Sequence, residues 1–328
     1  QLINAQGVAS TTGFSLVSAE AYASAQHIGI DQGLSVADAG RGQAFATDRT
    51  TPGLFTFASG LTSYGNLEAQ ATRGTAAART TGFGFLGGIG YGSAASSVGV
   101  FGGYVDSTQQ IGQIGARTEA DGFVAGVHGR LNSGSFGLKA TIAYNGSNGV
   151  TRRLVPSGRA DARFDLEGWI ADVSAHYNVA MGENWTVQPS IGMTAIRSTR
   201  GRLTEAGGTP YALNVAGDRQ NAVFVDAGLS FRGGAEPESV IKPYLSLGVR
   251  YQVEGDDTAA LAGFADSGQG LGLRLASEGA SRTPLRATAA LGADVVLSSN
   301  MVLFGAASLE GGDADTRYGA QAGLRFSF

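Results

Sequence analysis

Beyond residue 53 the chain sorts its apolar and polar residues by twos. In 241–253 the odd positions are Ile241, Pro243, Leu245, Leu247, Val249, Tyr251 and Val253. The even positions are Lys242, Tyr244, Ser246, Gly248, Arg250 and Gln252. Successive side chains of a strand point to opposite faces, so this alternation predicts a strand and excludes a helix. The same sorting recurs in 136–145, 169–178, 223–232 and 285–296. Short Gly/Ser/Asn turns near 94–97, 132–135, 181–184, 233–238 and 297–300 alternate with polar connections near 70–79, 106–117, 146–161, 201–221, 255–282 and 311–315. Five short and six long links join 12 strands.

The two strand faces differ in a way that a water-soluble sandwich does not explain. Mid-strand charges stand on the less apolar face: Lys139, Asp172, Asp226, Lys242, Arg250, Arg286, Asp294 and Arg325. Gly and Ser fill the positions between them, as in a crowded wet bore. Aromatics mark the strand ends on the apolar face: Tyr91, Tyr104, Phe136, Tyr144, Trp169, Tyr177, Trp185, Tyr251 and Tyr318. That distribution fits hydrocarbon flanked by two interfacial girdles. Backbone groups in lipid find no water, so such strands must close on themselves. The expected fold is therefore all-β, a 12-stranded antiparallel transmembrane β-barrel. Both barrel ends then lie on the side of the short turns, the periplasmic side, and the long loops face outward.

Residues 1–53 have another texture. A helix is expected over about 15–37, where Ala19, Ala21, Ala23 and Ala25 favour it and Gly29 and Gly33 weaken it. Thr12, Ser15 and Ser18 are candidate caps. Its length suits the bilayer, but it is too polar to face lipid, so its place is inside the lumen. The chain divides into a linker with a pore-spanning helix, 1–53, and a barrel, 54–328.

Composition removes other readings. There are 52 Gly and no Cys, so disulfides and thiolate metal sites are excluded. A net charge of −4 argues against nucleic acid as a partner. The chain begins at Gln1 with no signal-peptide pattern, and reads as a processed or cloned piece of a longer one. His128 and His176 with Ser174 are the nearest approach to a hydrolase site, and no third member is apparent. Asp256-Asp257 and Asp313/Asp315 read as solvated loop acids, and Arg152-Arg153 as a candidate contact for lipopolysaccharide phosphates. The runs GFGFLGGIGYG and GVFGGY lack a phosphate-loop Lys; their glycines mark close approach of another backbone, with the helix as a candidate. No enzyme activity, cofactor or metal is expected.

The last strand, 318–328, ends on aromatics. Gln321, Gly323, Phe326 and Phe328 resemble the terminal signal of bacterial outer-membrane proteins, which the barrel-assembly machinery reads. With the Ala-rich stretch LVSAEAYASAQHIGIDQ and 12 strands, the whole chain resembles the translocator domain of autotransporters, the type V secretion family. The resemblance implies a module that anchors and helps export a covalently linked N-terminal passenger, through or alongside its barrel. It implies outer-membrane lipid and lipopolysaccharide around a monomer, and a helix whose N-terminus points out of the cell. Candidate helix groups Glu20, Asp31, Asp38 and Arg41 would then meet candidate lumen groups Arg250, Arg286, Arg325, Asp226 and Asp294. Some family members cut their helix at an Asn; residues 1–53 hold only Asn4, so that cleavage is not expected. The alternative is a stand-alone outer-membrane channel, or porin-like barrel, with an N-terminal plug.

Overall fold

A computed structural model describes residues 17–42, 49–236, 239–265 and 275–328. Twelve strands form the barrel: β1 (Gly53–Leu67), β2 (Ala78–Gly92), β3 (Ser96–Ile111), β4 (Ala116–Ser133), β5 (Phe136–Val155), β6 (Gly158–Tyr177), β7 (Trp185–Arg200), β8 (Asp218–Gly233), β9 (Ile241–Glu254), β10 (Leu285–Ser298), β11 (Met301–Gly311) and β12 (Asp315–Ser327). Each pairs antiparallel with its neighbours in sequence. β12 pairs with β1, from Phe55 opposite Ser327 to Leu67 opposite Asp315, and this closes the wall. No helix among the described residues is long and apolar enough to cross a membrane; the strands do the crossing.

The outward positions are those expected. Leu245, Leu247 and Val249 of β9 are exposed, while Arg250, on the opposite face of the same strand, is buried. Phe136 stands opposite Tyr177 at one end of the β5–β6 pair, and Tyr144 opposite Trp169 eight residues further on. Those eight residues span about 26 Å of strand before tilt, the order of the roughly 25 Å apolar band of outer-membrane barrels. The rings touch their neighbours along the outer girdle: Phe123–Tyr144 at 5.8 Å, Tyr144–Trp169 at 5.1 Å and Tyr64–Tyr318 at 6.1 Å between centroids.

Two expected loops are strands instead. Most of 106–117 belongs to β3 and β4, and most of 146–161 belongs to β5 and β6, each 20 residues long. Their polar outward faces suggested loops, but above the girdle both strand faces meet polar surroundings and the ladder continues. The wall therefore rises well past the membrane on the β3–β6 side. At the opposite end β4 and β5 are joined by two residues, where Gly134 takes φ 58°, a conformation other residues rarely adopt.

The helix α1 (Glu20–Arg41) lies in the lumen. It begins and ends later than expected. Ala19 is its N-cap and makes no side-chain cap bond; Ser18 Oγ accepts a long 3.4 Å bond from Glu20 N, and Ser277 Oγ accepts from Ala19 N at 2.9 Å. The start is thus set by an outer loop and not by local capping; Thr12 and Ser15 lie outside the described residues. Gly29 and Gly33 serve contact: a Cβ on Gly29 would sit 2.3 Å from Ser198 Oγ, and one on Gly33 3.0 Å from Ile196. The helix leans on β3–β7.

In the glycine-rich run of β2, Gly84, Gly88 and Gly92 allow the expected close approach of a backbone, which is that of β3 and not the helix, and Gly88 and Gly90 also make room for aromatic rings. A Cβ on Gly88 would lie 2.5 Å from the Phe57 ring, and one on Gly90 2.2 Å from the Phe55 ring, both from β1. In GVFGGY, Gly103 instead lets the Phe85 carbonyl approach. Four short strands, Leu203–Thr204, Leu213–Val215, Ala259–Phe264 and Leu275–Glu278, form a small sheet over the long-loop end.

Candidate functional site

The site is the lumen with its helix, and three levels of contact hold them together. At the long-loop end, Tyr22, Ala19 and Ala23 pack against Phe164, Leu213, Val215 and Ala260 under the loop sheet. Tyr22 OH donates to Glu205 Oε1 at 2.6 Å. Arg153 grips the same carboxylate through Nε at 2.9 Å and Nη2 at 2.7 Å, with both side chains fully buried. Glu20 Oε1 accepts from Ala76 N at 2.6 Å in the β1–β2 loop, beyond the outer girdle. Its Oε2 has no hydrogen-bond partner among the described residues. Burial pushes the Glu20 carboxyl up to about 7, and the Ala76 amide only partly offsets this.

One turn lower, His27 is locked. Its Nε2 lies 2.8 Å from the Ala280 carbonyl, and Arg282 Nε donates to its Nδ1 at 3.2 Å. Arg donates only, so Nδ1 is the acceptor and Nε2 carries the proton. Arg282 also pairs with Asp31 at 2.8 Å. Gln26 accepts from Ser198 Oγ, and Gln32 bonds Ser107, the Ala120 carbonyl and Asn145.

The lower level is an ion-pair layer. Arg250 reaches Asp38 at 2.8 Å, Asp226 at 2.6 Å and Glu310 at 2.8 Å. Arg317 pairs with Asp38 at 2.9 Å. Arg41 pairs with Asp172 at 2.6 Å and Asp226 at 2.8 Å. Lys139 Nζ donates to the Arg41 carbonyl, near the helix end. Charged hydrogen-bonded pairs of this kind fix position more than they stabilise, because desolvation offsets much of their attraction.

Of the residues expected in this lumen, Arg250, Asp226, Asp38 and Arg41 form helix–wall ion pairs, and Asp31 pairs with Arg282 of the long-loop end. The others stand elsewhere. Glu20 meets a backbone amide. Arg286 stands one step behind the helix, on Glu310 at 2.7 Å and Asp315 at 3.5 Å, with its guanidinium over the Phe224 ring. Arg325 and Asp294 are buried in the wall nearer the short-turn end, where Asp294 stands opposite Lys242; α1 stops above them at Arg41. Of the loop groups, Arg153 turns inward to Glu205, Arg152 is held by Glu119 at 2.7 Å, Asp257 by Arg73 at 2.7 Å, and Asp315 faces Arg286. His128 Nδ1 contacts Thr141 Oγ1 at 2.9 Å, and His176 lies over Gly137. No group of three or more metal-ligating side chains occurs among the described residues.

Asp172, Glu310, Arg317, Arg282 and Glu205 were missed as partners. Arg317 was within reach, since it continues the inward face of Gly319, Gln321, Gly323 and Arg325. Arg282 and Glu205 lie in loops, where no periodicity indicates direction. In the last strand, Gln321 lines the lumen and a Cβ on Gly323 would lie 2.3 Å from the Ala58 carbonyl, while Phe326 and Phe328 point outward.

Known proteins share this architecture. The translocator domain of the autotransporter NalP from Neisseria meningitidis superposes with a TM-score of 0.74 at 16% identity, over 94% of this chain and 98% of that one. The β domain of the Bordetella autotransporter BrkA gives 0.60 at 15% identity, covering 84% and 99%. The transport unit of AIDA-I from Escherichia coli gives 0.57 at 18% identity, covering 90% and 99%. A search of curated proteins finds no match. The autotransporter β-domain family model matches residues 56–308. With its closed 12-stranded wall and lumenal helix, this chain belongs to the autotransporter β-domain family and is an outer-membrane translocator barrel.

Proposed function

We propose that this barrel anchors a passenger that precedes the helix, with the long loops and the helix N-terminus outside the cell and the short turns and Phe328 in the periplasm. The observation that carries this reading is the polarity of α1. Its Glu20 end is held by the long loops through Ala76, Ser277 and Glu205. Its Arg41 end is held deep in the lumen at Asp172 and Asp226. A chain entering from the passenger would run down this path and turn into β1. The helix then plugs the pore and ties the passenger to the wall, and no step of bond chemistry is assigned to the barrel. Gln321, Gly323, Phe326 and Phe328 are proposed as the surface that the barrel-assembly machinery reads, by strand addition at the edge of β12. Lipid and lipopolysaccharide surround the exposed apolar face of a monomer.

A tag fused before Gln1 tests the orientation. Protease added to intact cells is expected to remove it while the barrel stays whole. Removal only after the outer membrane is permeabilised would contradict the reading and favour a channel with a periplasmic plug. Deletion of residues 1–42 is expected to raise single-channel conductance.

A further inference from the structure

Four residues of a helix advance about 6 Å, and two residues of a strand advance about 6.6 Å. A slide of α1 by one turn along the wall therefore reaches nearly equivalent ground, and its packed face invites that slide. Gly29 lies against Ser198 of β7, and Gly33 lies against Ile196, two residues along the same strand. Ala37, fully buried, continues the row at the same spacing. Drawn four residues toward the long loops, the helix would set Gly33 at Ser198 and Ala37 at Ile196, small residues against the wall once more. Gln26 would arrive in the place of Tyr22, where its amide can donate to Glu205 as the Tyr22 hydroxyl does.

The charged face forbids this slide. Asp31 pairs with Arg282 at 2.8 Å. Asp38 pairs with Arg250 at 2.8 Å and with Arg317 at 2.9 Å. Arg41 pairs with Asp172 at 2.6 Å and with Asp226 at 2.8 Å. After a one-turn slide, Ser35 and Gly42 would stand where Asp31 and Asp38 stood, and the Arg282 and Arg250 sites would face no helix carboxylate. Asp31 and Asp38 are seven residues apart, so a slide of two turns would put one acid in the place of the other. That slide would also bring Val36 or Tyr22, according to its direction, into the place of Gly29, where even a Cβ would overlap Ser198 Oγ. Packing thus accepts a step of four and charge a step of seven, and only the observed register meets both.

We propose that α1 is held by a two-period lock, in which Asp31, Asp38 and Arg41 are positioning residues that forbid the one-turn slide the glycine face would accept. Fixing register is the use to which buried charge pairs are best suited. Resting on the anchoring reading, the lock sets how deep the tether stays in the bore when the passenger pulls on it.

The chain has no Cys, so paired thiols report the register. Gly29→Cys/Ser198→Cys reads the observed register, with 3.1 Å between the two Cβ positions. Gly33→Cys/Ser198→Cys reads the one-turn slide. Each pair is oxidised in isolated outer membranes in three full-length backgrounds. One is otherwise unchanged. The neutral one carries Asp31→Asn, Asp38→Asn and Arg41→Gln. The shifted one adds Ser35→Asp and Gly42→Asp to these, which moves the acids on by one turn. The ratio of 33–198 to 29–198 cross-linking rates is expected to rise about tenfold or more in the neutral background, the effect of about 1.4 kcal/mol of lost register preference. In the shifted background it is expected to invert, with the 33–198 pair the faster. An unchanged ratio in both backgrounds overturns the proposal. A shifted ratio no higher than the neutral one also overturns it, since the helix would then be loosened without a register code. Only chains with the heat-modifiable gel mobility of a folded barrel are scored; if the multiple variants fail that, Asp38→Asn alone decides, with a several-fold rise expected and no rise contradicting the lock. A tag before Gln1 that stays periplasmic, with the inversion present, overturns the anchoring reading and leaves the lock standing. A surface tag with unchanged ratios does the reverse.

Discussion

Arg250 is the most consequential side chain of the lumen. It is 6% exposed and touches three carboxylates, one on the helix and two on the wall. Replacing it with Met removes the charge and keeps much of the stem. Breaking a buried pair by deleting one partner costs about 3–5 kcal/mol, because the other charge is left in low dielectric. Here each carboxylate keeps a second cation: Asp38 has Arg317, Asp226 has Arg41 and Glu310 has Arg286. The lower end of that range, about 3 kcal/mol, is therefore expected. At 1.4 kcal/mol per tenfold, this is roughly a hundredfold in the unfolding equilibrium. Urea unfolding in micelles, followed by tryptophan fluorescence, measures it. Asp38→Asn is run in parallel and combined with Arg250→Met. The two residues are in contact, so a coupling of about 0.5–3 kcal/mol is expected from the cycle. A change below about 0.5 kcal/mol for Arg250→Met, or strict additivity in the double variant, would refute the view that this layer fixes the helix.

Two further outcomes follow from the helix packing. Gly33→Val drives methyls into Ile196 and Ile170, which already approach a Cβ position to 3.0 and 3.2 Å; overpacking costs about 1–3 kcal/mol, and Ile196→Ala in the same chain is expected to recover most of it in the same unfolding assay. Glu20 has its carboxyl raised to about 7 in the folded chain against about 4.3 when unfolded. The folded state binds this proton more tightly, so the contribution of Glu20 to stability is greatest below about 4.3 and is lost as pH rises from there through about 7. The protection factor of the first-turn amides of α1, with the intrinsic pH dependence of exchange divided out, is expected to fall across that window, and Glu20→Gln is expected to remove that fall; the same fall in the variant would refute the assignment.

The barrel was legible because its rule is local. Every second residue of a strand faces lipid, and an apolar Leu245–Leu247–Val249 set cannot be hidden elsewhere. The outer ends of β3–β6 were not, since above the membrane nothing apolar marks either face, and a polar ladder looks like a loop. The helix was legible from its Ala content, but its ends were shifted, because they are set by Ser277, Ala76 and the ion pairs around Arg41 and not by local caps. In the lumen, charge and inward parity point to Arg250 and Asp226, which lie against Asp38 and Arg41 of the helix. Parity says nothing of height along the bore, so Arg325 and Asp294 were offered to a helix that ends above them. The partners Arg282 and Glu205 depend on how the 201–217 and 255–284 loops fold back, which no spacing reveals.

The central claim is a helix of defined polarity against the inner wall, and two disulfides test it most directly. A Cβ on Gly29 lies 3.1 Å from Ser198 Cβ, and one on Gly40 lies 3.4 Å from Thr141 Cβ, close to the 3.5–4.5 Å usual between bridged Cβ atoms. Gly29→Cys/Ser198→Cys and Gly40→Cys/Thr141→Cys, oxidised in isolated outer membranes, are expected to cross-link near completion, seen as a mobility shift on non-reducing gels of the unfolded chain. Cross-linking of the exchanged pairs, Gly29→Cys with Thr141→Cys or Gly40→Cys with Ser198→Cys, or of no pair at all, would contradict it.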